Sequence, residues 1–104
     1  MTPESRNKIE SIIGSVSGSY FGEESYKTVE EKTLAYFYFI IKDHPFTDGN
    51  KRTASLAFMV SCAYNHLTPD FTAYTLDELA IYIERINEPD HRKIITELSR
   101  EIFK

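Results

Sequence analysis

Nine consecutive residues, His44-Pro45-Phe46-Thr47-Asp48-Gly49-Asn50-Lys51-Arg52, concentrate the functional groups of the chain. Asp48-Gly49-Asn50 favours a tight turn with positive φ, which glycine adopts without steric cost and asparagine tolerates. Successive backbone N–H groups in such a turn converge into a concave nest for an anion. A helix starting near Thr53 adds the positive end of its dipole. Lys51 and Arg52 add two full charges at the same place, so the combination suits a phosphate or polyphosphate. Asp48 beside it is a natural Mg²⁺ ligand, because this ion is usually held by one or two carboxylates together with phosphate oxygens. His44 titrates near neutral pH and suits a general base. Taken singly, each feature has a plainer reading as a turn, a helix end or solvated surface; their order and spacing carry the argument.

The elements that must position these groups read mainly as helices. Thr2-Pro3 is an N-cap followed by proline at the first helical position, and Ile9, Ile12, Ile13 and Val16 follow at helical spacing. This helix should fade between Ser15 and Ser19. Ser19 to Thr28, with aromatics around Gly22, reads as a turn or short hairpin. Thr28 caps a second helix, with Glu30 and Glu31 in its first turn and Leu34, Phe37, Tyr38 and Ile41 on one face. Pro45 ends it, since the residue before a proline disfavours the helical region.

Thr53 to His66 forms the next helix, with Leu56, Met59, Val60 and Ala63 on one face. It is apolar nearly all round, so its expected place is the centre of the domain. Thr68-Pro69-Asp70 breaks it. Thr75-Leu76-Asp77-Glu78 is a capping-box pattern for a helix carrying Leu79, Ala80, Ile83 and Ile86. Pro89-Asp90 starts a last helix with Ile94, Ile95, Leu98 and Ile102. The expected fold is all-α, a compact single-domain bundle of about five helices with a short β-hairpin.

The 104 residues suffice for one domain, read as residues 1–104, and with no tail beyond the Phe103-Lys104 end and no regulatory segment the expectation is that it is part of a longer protein. Hydrophobic residues make up 41% and charged residues 27%, an ordinary globular balance that excludes a disordered chain. The longest apolar run, Leu34 to Ile41, is far short of the roughly 20 residues that cross a bilayer, so no membrane partner is expected. No secretory signal opens the chain. The one cysteine, Cys62, fits a reducing cytoplasm. Cys62 and His66 are one turn apart, but no third and fourth ligand accompany them at usable spacing for zinc. The net charge of −4 argues against nucleic acid as the main partner.

The nine-residue segment resembles the motif of the Fic/Doc (Fido) family, His-Pro-Phe-x-acidic-Gly-Asn-(Gly or Lys)-Arg, without a gap. The resemblance covers most of the chain and implies a helical fold that places the motif between two helices. It further implies a Mg²⁺-dependent transferase that moves AMP from ATP onto a hydroxyl of a target protein. His44 would take the hydroxyl proton, and Phe46 would hold the loop against the core. Asp48 would hold Mg²⁺ on the nucleotide phosphates. Gly49, Asn50 and the following backbone at Lys51 would form the anion hole, and Arg52 would pair with phosphate oxygens as a planar fork. The hairpin region lies where the family places a flap that docks the target segment by strand-like pairing, with Tyr20, Phe21 and Tyr26 as docking candidates.

Two positions depart from the AMP-transferring branch. Lys51 replaces its usual glycine, and Ser55 stands where that branch has a second arginine. The Doc branch, whose members are toxin kinases, has lysine at the first position and lacks the second arginine. The alternatives are therefore a Doc-like kinase that transfers the γ-phosphate, or a catalytically silent module that binds nucleotide or a partner. No inhibitory Ser/Thr-x-x-x-Glu-Gly/Asn helix is recognisable, which leaves restraint to an antitoxin or another regulatory protein.

Overall fold

A computed structural model describes residues 3–17, 19–20, 23–24, 26, 28–43 and 49–103. Among them five helices and one two-stranded ladder occur, in the order α1 (Pro3–Ser17), β1 (Ser19–Tyr20), β2 (Glu23–Glu24), α2 (Val29–Asp43), α3 (Asn50–Tyr64), α4 (Leu76–Arg85) and α5 (His91–Ile102). The strands pair antiparallel, with Ser19 opposite Glu24 and Tyr20 opposite Glu23. The all-α architecture and the hairpin are thus both present. α1 ends at Ser17, within the stretch from Ser15 to Ser19 where its fading is expected. The expected N-cap at Thr2 lies outside the described residues.

Helix starts follow their side-chain chemistry. The Thr28 hydroxyl accepts the Glu31 amide at 3.1 Å, capping α2. Thr75 and Glu78 close a full capping box at the start of α4. The Asp90 carboxylate accepts the Lys93 amide at 3.2 Å at the start of α5. The end of α3 is equally specific. His66 takes φ 57°, the Leu67 amide donates to the Cys62 carbonyl at 2.8 Å, and the His66 amide donates to Ala63 at 3.4 Å. This is a Schellman turn, which ends the helix two residues before the expected His66 and takes His66 off the helical face it would share with Cys62.

The centre of the domain is α2, which packs against α1, α3, α4 and α5. Its predicted face is correct: Leu34, Phe37, Tyr38 and Ile41 are all buried. The expectation for α3 needs correcting on two counts. It is not the central helix, and it buries Ala54, Phe58 and Cys62 rather than the predicted face. Leu56, Met59 and Val60 are 64%, 49% and 58% exposed. The reason lies in Phe58. Its ring meets Phe37 edge-on at 5.7 Å, Phe103 at 5.9 Å and Phe71 at 6.2 Å. A phenylalanine carries more buried area than the valine or methionine opposite it, so aromatic packing decides which way the helix is turned.

The lower half of the core comes from Leu79, Ala80 and Ile83 of α4 and Ile94, Ile95, Leu98 and Ile102 of α5. The connector between α3 and α4 is tied down where the Asp70 amide donates to the Ile102 carbonyl at 2.7 Å. Among the described residues no helix is long and apolar enough to cross a membrane.

Candidate functional site

The candidate site is built at the junction between the end of α2 and the start of α3. Gly49 has φ 76° and ψ 18°, the left-handed conformation that the Asp-Gly-Asn pattern predicts. A Cβ at this position would meet nothing within 4 Å, so glycine is required here by its backbone angle and not by crowding. The Gly49 carbonyl accepts the Thr53 amide at 2.9 Å, which makes Gly49 the N-cap. The helix therefore begins at Asn50, three residues ahead of the expected Thr53.

This shift changes the character of the site. Asn50, Lys51 and Arg52 are not loop residues but the first turn of α3, and the amides of a first turn are those a helix cannot satisfy from within. They point along the positive end of the helix dipole. No acidic residue occupies that turn, and the glycine cap offers no side chain to close it. Arg52 is exposed and Asn50 half-buried. The predicted anion-binding residues Gly49, Asn50, Lys51 and Arg52 are thus brought together at one helix terminus.

Lys51 has a partner that sequence reasoning missed. Its ammonium lies 3.0 Å from a carboxylate oxygen of Glu84 on α4. Both side chains remain about half in solvent, so the pair fixes direction more than it adds stability. No sequence signal marks Glu84, because the register of α4 against α3 is set by the core.

Two further contacts hold the end of α2, from which the chain passes directly into His44. The Lys42 ammonium donates to the Ile86 carbonyl beyond α4. The Tyr38 hydroxyl and His91 Nδ1 share a hydrogen bond of 2.6 Å. Burial pushes the Tyr38 phenol up to about 12, so it stays protonated through the neutral range and the bond persists.

His44 and Asp48, predicted as base and metal ligand, lie outside the described residues, as do Phe46 and the docking candidate Phe21. Tyr20 falls in β1. Tyr26 is only 5% exposed and belongs to the core, with the Arg92 guanidinium 5.7 Å from its ring centre. That ring faces protein, so it packs rather than offering a docking surface; burial raises its pKa. Among the described residues no group of three or more His, Cys, Asp or Glu side chains gathers as a metal cage. Cys62 is buried, and desolvation raises its thiol pKa.

A family model described as the Fic/DOC family matches residues 2–62. The match runs from the start of α1 through the hairpin and α2 into α3, and it includes the whole of the His44–Arg52 segment. No curated protein and no solved structure gave a significant match.

Proposed function

The chain belongs to the Fic/DOC family, and from that premise we propose that it is a transferase moving AMP from ATP to a hydroxyl of a target protein. The observation that carries this reading is the left-handed Gly49 opening directly into a first turn that holds Lys51 and Arg52. A phosphate chain fits that terminus, since the amides, the dipole and the Arg52 guanidinium favour an anion there. Mg²⁺ fits a site with one protein carboxylate, because phosphate oxygens complete its coordination. Asp48 is the residue proposed to hold it, and the bound ion would neutralise phosphate charge.

The chain's own residues have the following parts. Gly49 and Asn50 give the phosphates a backbone cradle, and Arg52 forks onto phosphate oxygens. His44 takes the proton of the target hydroxyl as its oxygen bonds to the α-phosphorus. The bond from that phosphorus to the bridging oxygen breaks, and pyrophosphate leaves. Phosphoryl-type transfer needs positioning and charge neutralisation more than covalent help from the protein, which matches this set of groups. The hairpin presents the target segment, with Tyr20 and Phe21 as proposed docking residues. The protein works in the cytoplasm, under an antitoxin-like or other regulatory partner, without nucleic acid.

The second reading is attack on the γ-phosphorus with ADP leaving, as a Doc-like kinase would do. Lys51 in place of glycine, and Ser55 in place of a second arginine, motivate it. The Lys51–Glu84 contact favours AMP transfer: the side chain that departs from the AMP-transferring pattern is held on α4. The test is a pair of reactions with Mg²⁺ and a bacterial lysate, using ATP labelled at the α- or the γ-phosphate. His44→Ala is run beside each. Protein label from the α position only, reduced at least about 100-fold by His44→Ala, is the expected result. Label from the γ position only establishes the kinase reading. No His44-dependent label in either reaction contradicts both and leaves the silent binding module.

A further inference from the structure

A cleft of about 220 Å³ opens between the α3–α4 connector, α4 and α5, lined by Tyr74, Tyr82, Ile94, Leu98, Glu97 and Glu101. It lies in the part of the chain beyond residues 2–62 and shares no residue with the site at α3. Its composition is specific. Ile94 and Leu98 are buried and form an apolar base. Tyr74 and Tyr82 are 42% and 48% exposed, so both keep part of their surface in solvent at the cleft. Glu97 and Glu101 are exposed, one helical turn apart on α5, and have no ion-pair partner among the described residues.

Its size is below the roughly 300–1,000 Å³ of pockets that enclose a drug-sized ligand, and suits one long side chain. The chemistry selects which one. Aromatic faces attract a cation, two carboxylates pair with it, and an apolar base accepts a methylene stem. Arginine meets all three demands better than lysine, because its planar guanidinium stacks on rings and forks onto carboxylates. The fold already uses the same contact internally, where Arg92 sits over Tyr26. The net charge of −4 draws a basic segment toward the surface. We propose that this cleft receives an arginine side chain from an exposed segment of a partner protein, as a docking point separate from the transfer site.

The test uses the full chain and two probes, acetyl-Gly-Gly-Arg-Gly-Gly-amide and its citrulline counterpart, which keeps shape and loses charge. Amide chemical shifts are followed during titration of the wild type and of Glu97→Gln/Glu101→Gln. The expected result is shifts centred on Tyr74, Tyr82 and residues 94–101. The arginine probe should bind at least about fivefold more tightly than citrulline, a preference the double variant loses. Equal binding of the two probes by the wild type overturns the proposal, whether or not the double variant folds. So do shifts centred elsewhere, or an arginine preference that survives in a folded double variant.

Discussion

Helices α3 and α4 begin in opposite ways. At α4, the Thr75 hydroxyl accepts the Glu78 amide and Glu78 accepts the Thr75 amide, both at 3.2 Å, with Asp77 also in the first turn. Those carboxylates complement the helix dipole, so the terminus is closed by its own side chains. At α3, the cap is a left-handed glycine without a side chain, the first turn holds no acid, and Lys51 and Arg52 place positive charge at the positive dipole end. Cations there are locally unfavourable by a few tenths of a kcal/mol to about 1 kcal/mol each. An anion relieves that cost. The α4 terminus is closed by its own side chains, whereas the α3 terminus carries the charge and backbone that we propose meet a negatively charged ligand.

Three substitutions sharpen the contrast. Gly49→Ala has the largest expected effect, because alanine must take φ 76° at the cap. It should lower stability by about 1–2 kcal/mol, or move the start of α3 and weaken nucleotide binding. Urea unfolding with and without MgATP separates the two effects, and an unchanged midpoint in both conditions breaks the argument about the turn. Thr75→Ala should cost about 1 kcal/mol, or about 4–8 °C in Tm for a domain of this size. A Tm equal to wild type means that the capping box is idle in solution. Glu84→Gln has the smallest expected effect, about 0–1 kcal/mol and reduced further by salt, because its pair with Lys51 is half-exposed. A loss above about 2 kcal/mol would show that the contact orders α3 against α4 more strongly than exposed ion pairs do.

What could be read from the sequence follows how local each cause is. Caps at Thr28, Thr75 and Asp90 are written within four residues, and each is formed. The inner faces of α2 and α5 were legible because their apolar residues recur at helical spacing. α3 was not, since apolar residues surround it and the periodicity leaves its rotation open. Contacts of Phe58 with Phe37, Phe71 and Phe103 from three other parts of the chain settle that rotation. At the candidate site, the positive φ of Gly49 was legible in Asp48-Gly49-Asn50. The helix start at Asn50 was hidden by Lys51-Arg52, a pair that suits a helix start poorly unless an anion is present. The Lys51–Glu84 contact and the burial of Tyr26 beneath Arg92 depend on tertiary register, which no local pattern records.

The central claim is that the first turn of α3 serves an anionic ligand while that of α4 serves the fold. Calorimetric MgATP affinity, measured beside nucleotide-free thermal unfolding, tests it on wild type, Arg52→Ala and Thr75→Ala. The account predicts that Arg52→Ala loses at least about tenfold in MgATP affinity, with the nucleotide-free Tm unchanged or raised, since a cation at the positive dipole end is removed. Thr75→Ala should lower Tm and leave the affinity intact. Wild-type MgATP affinity in Arg52→Ala would contradict the account.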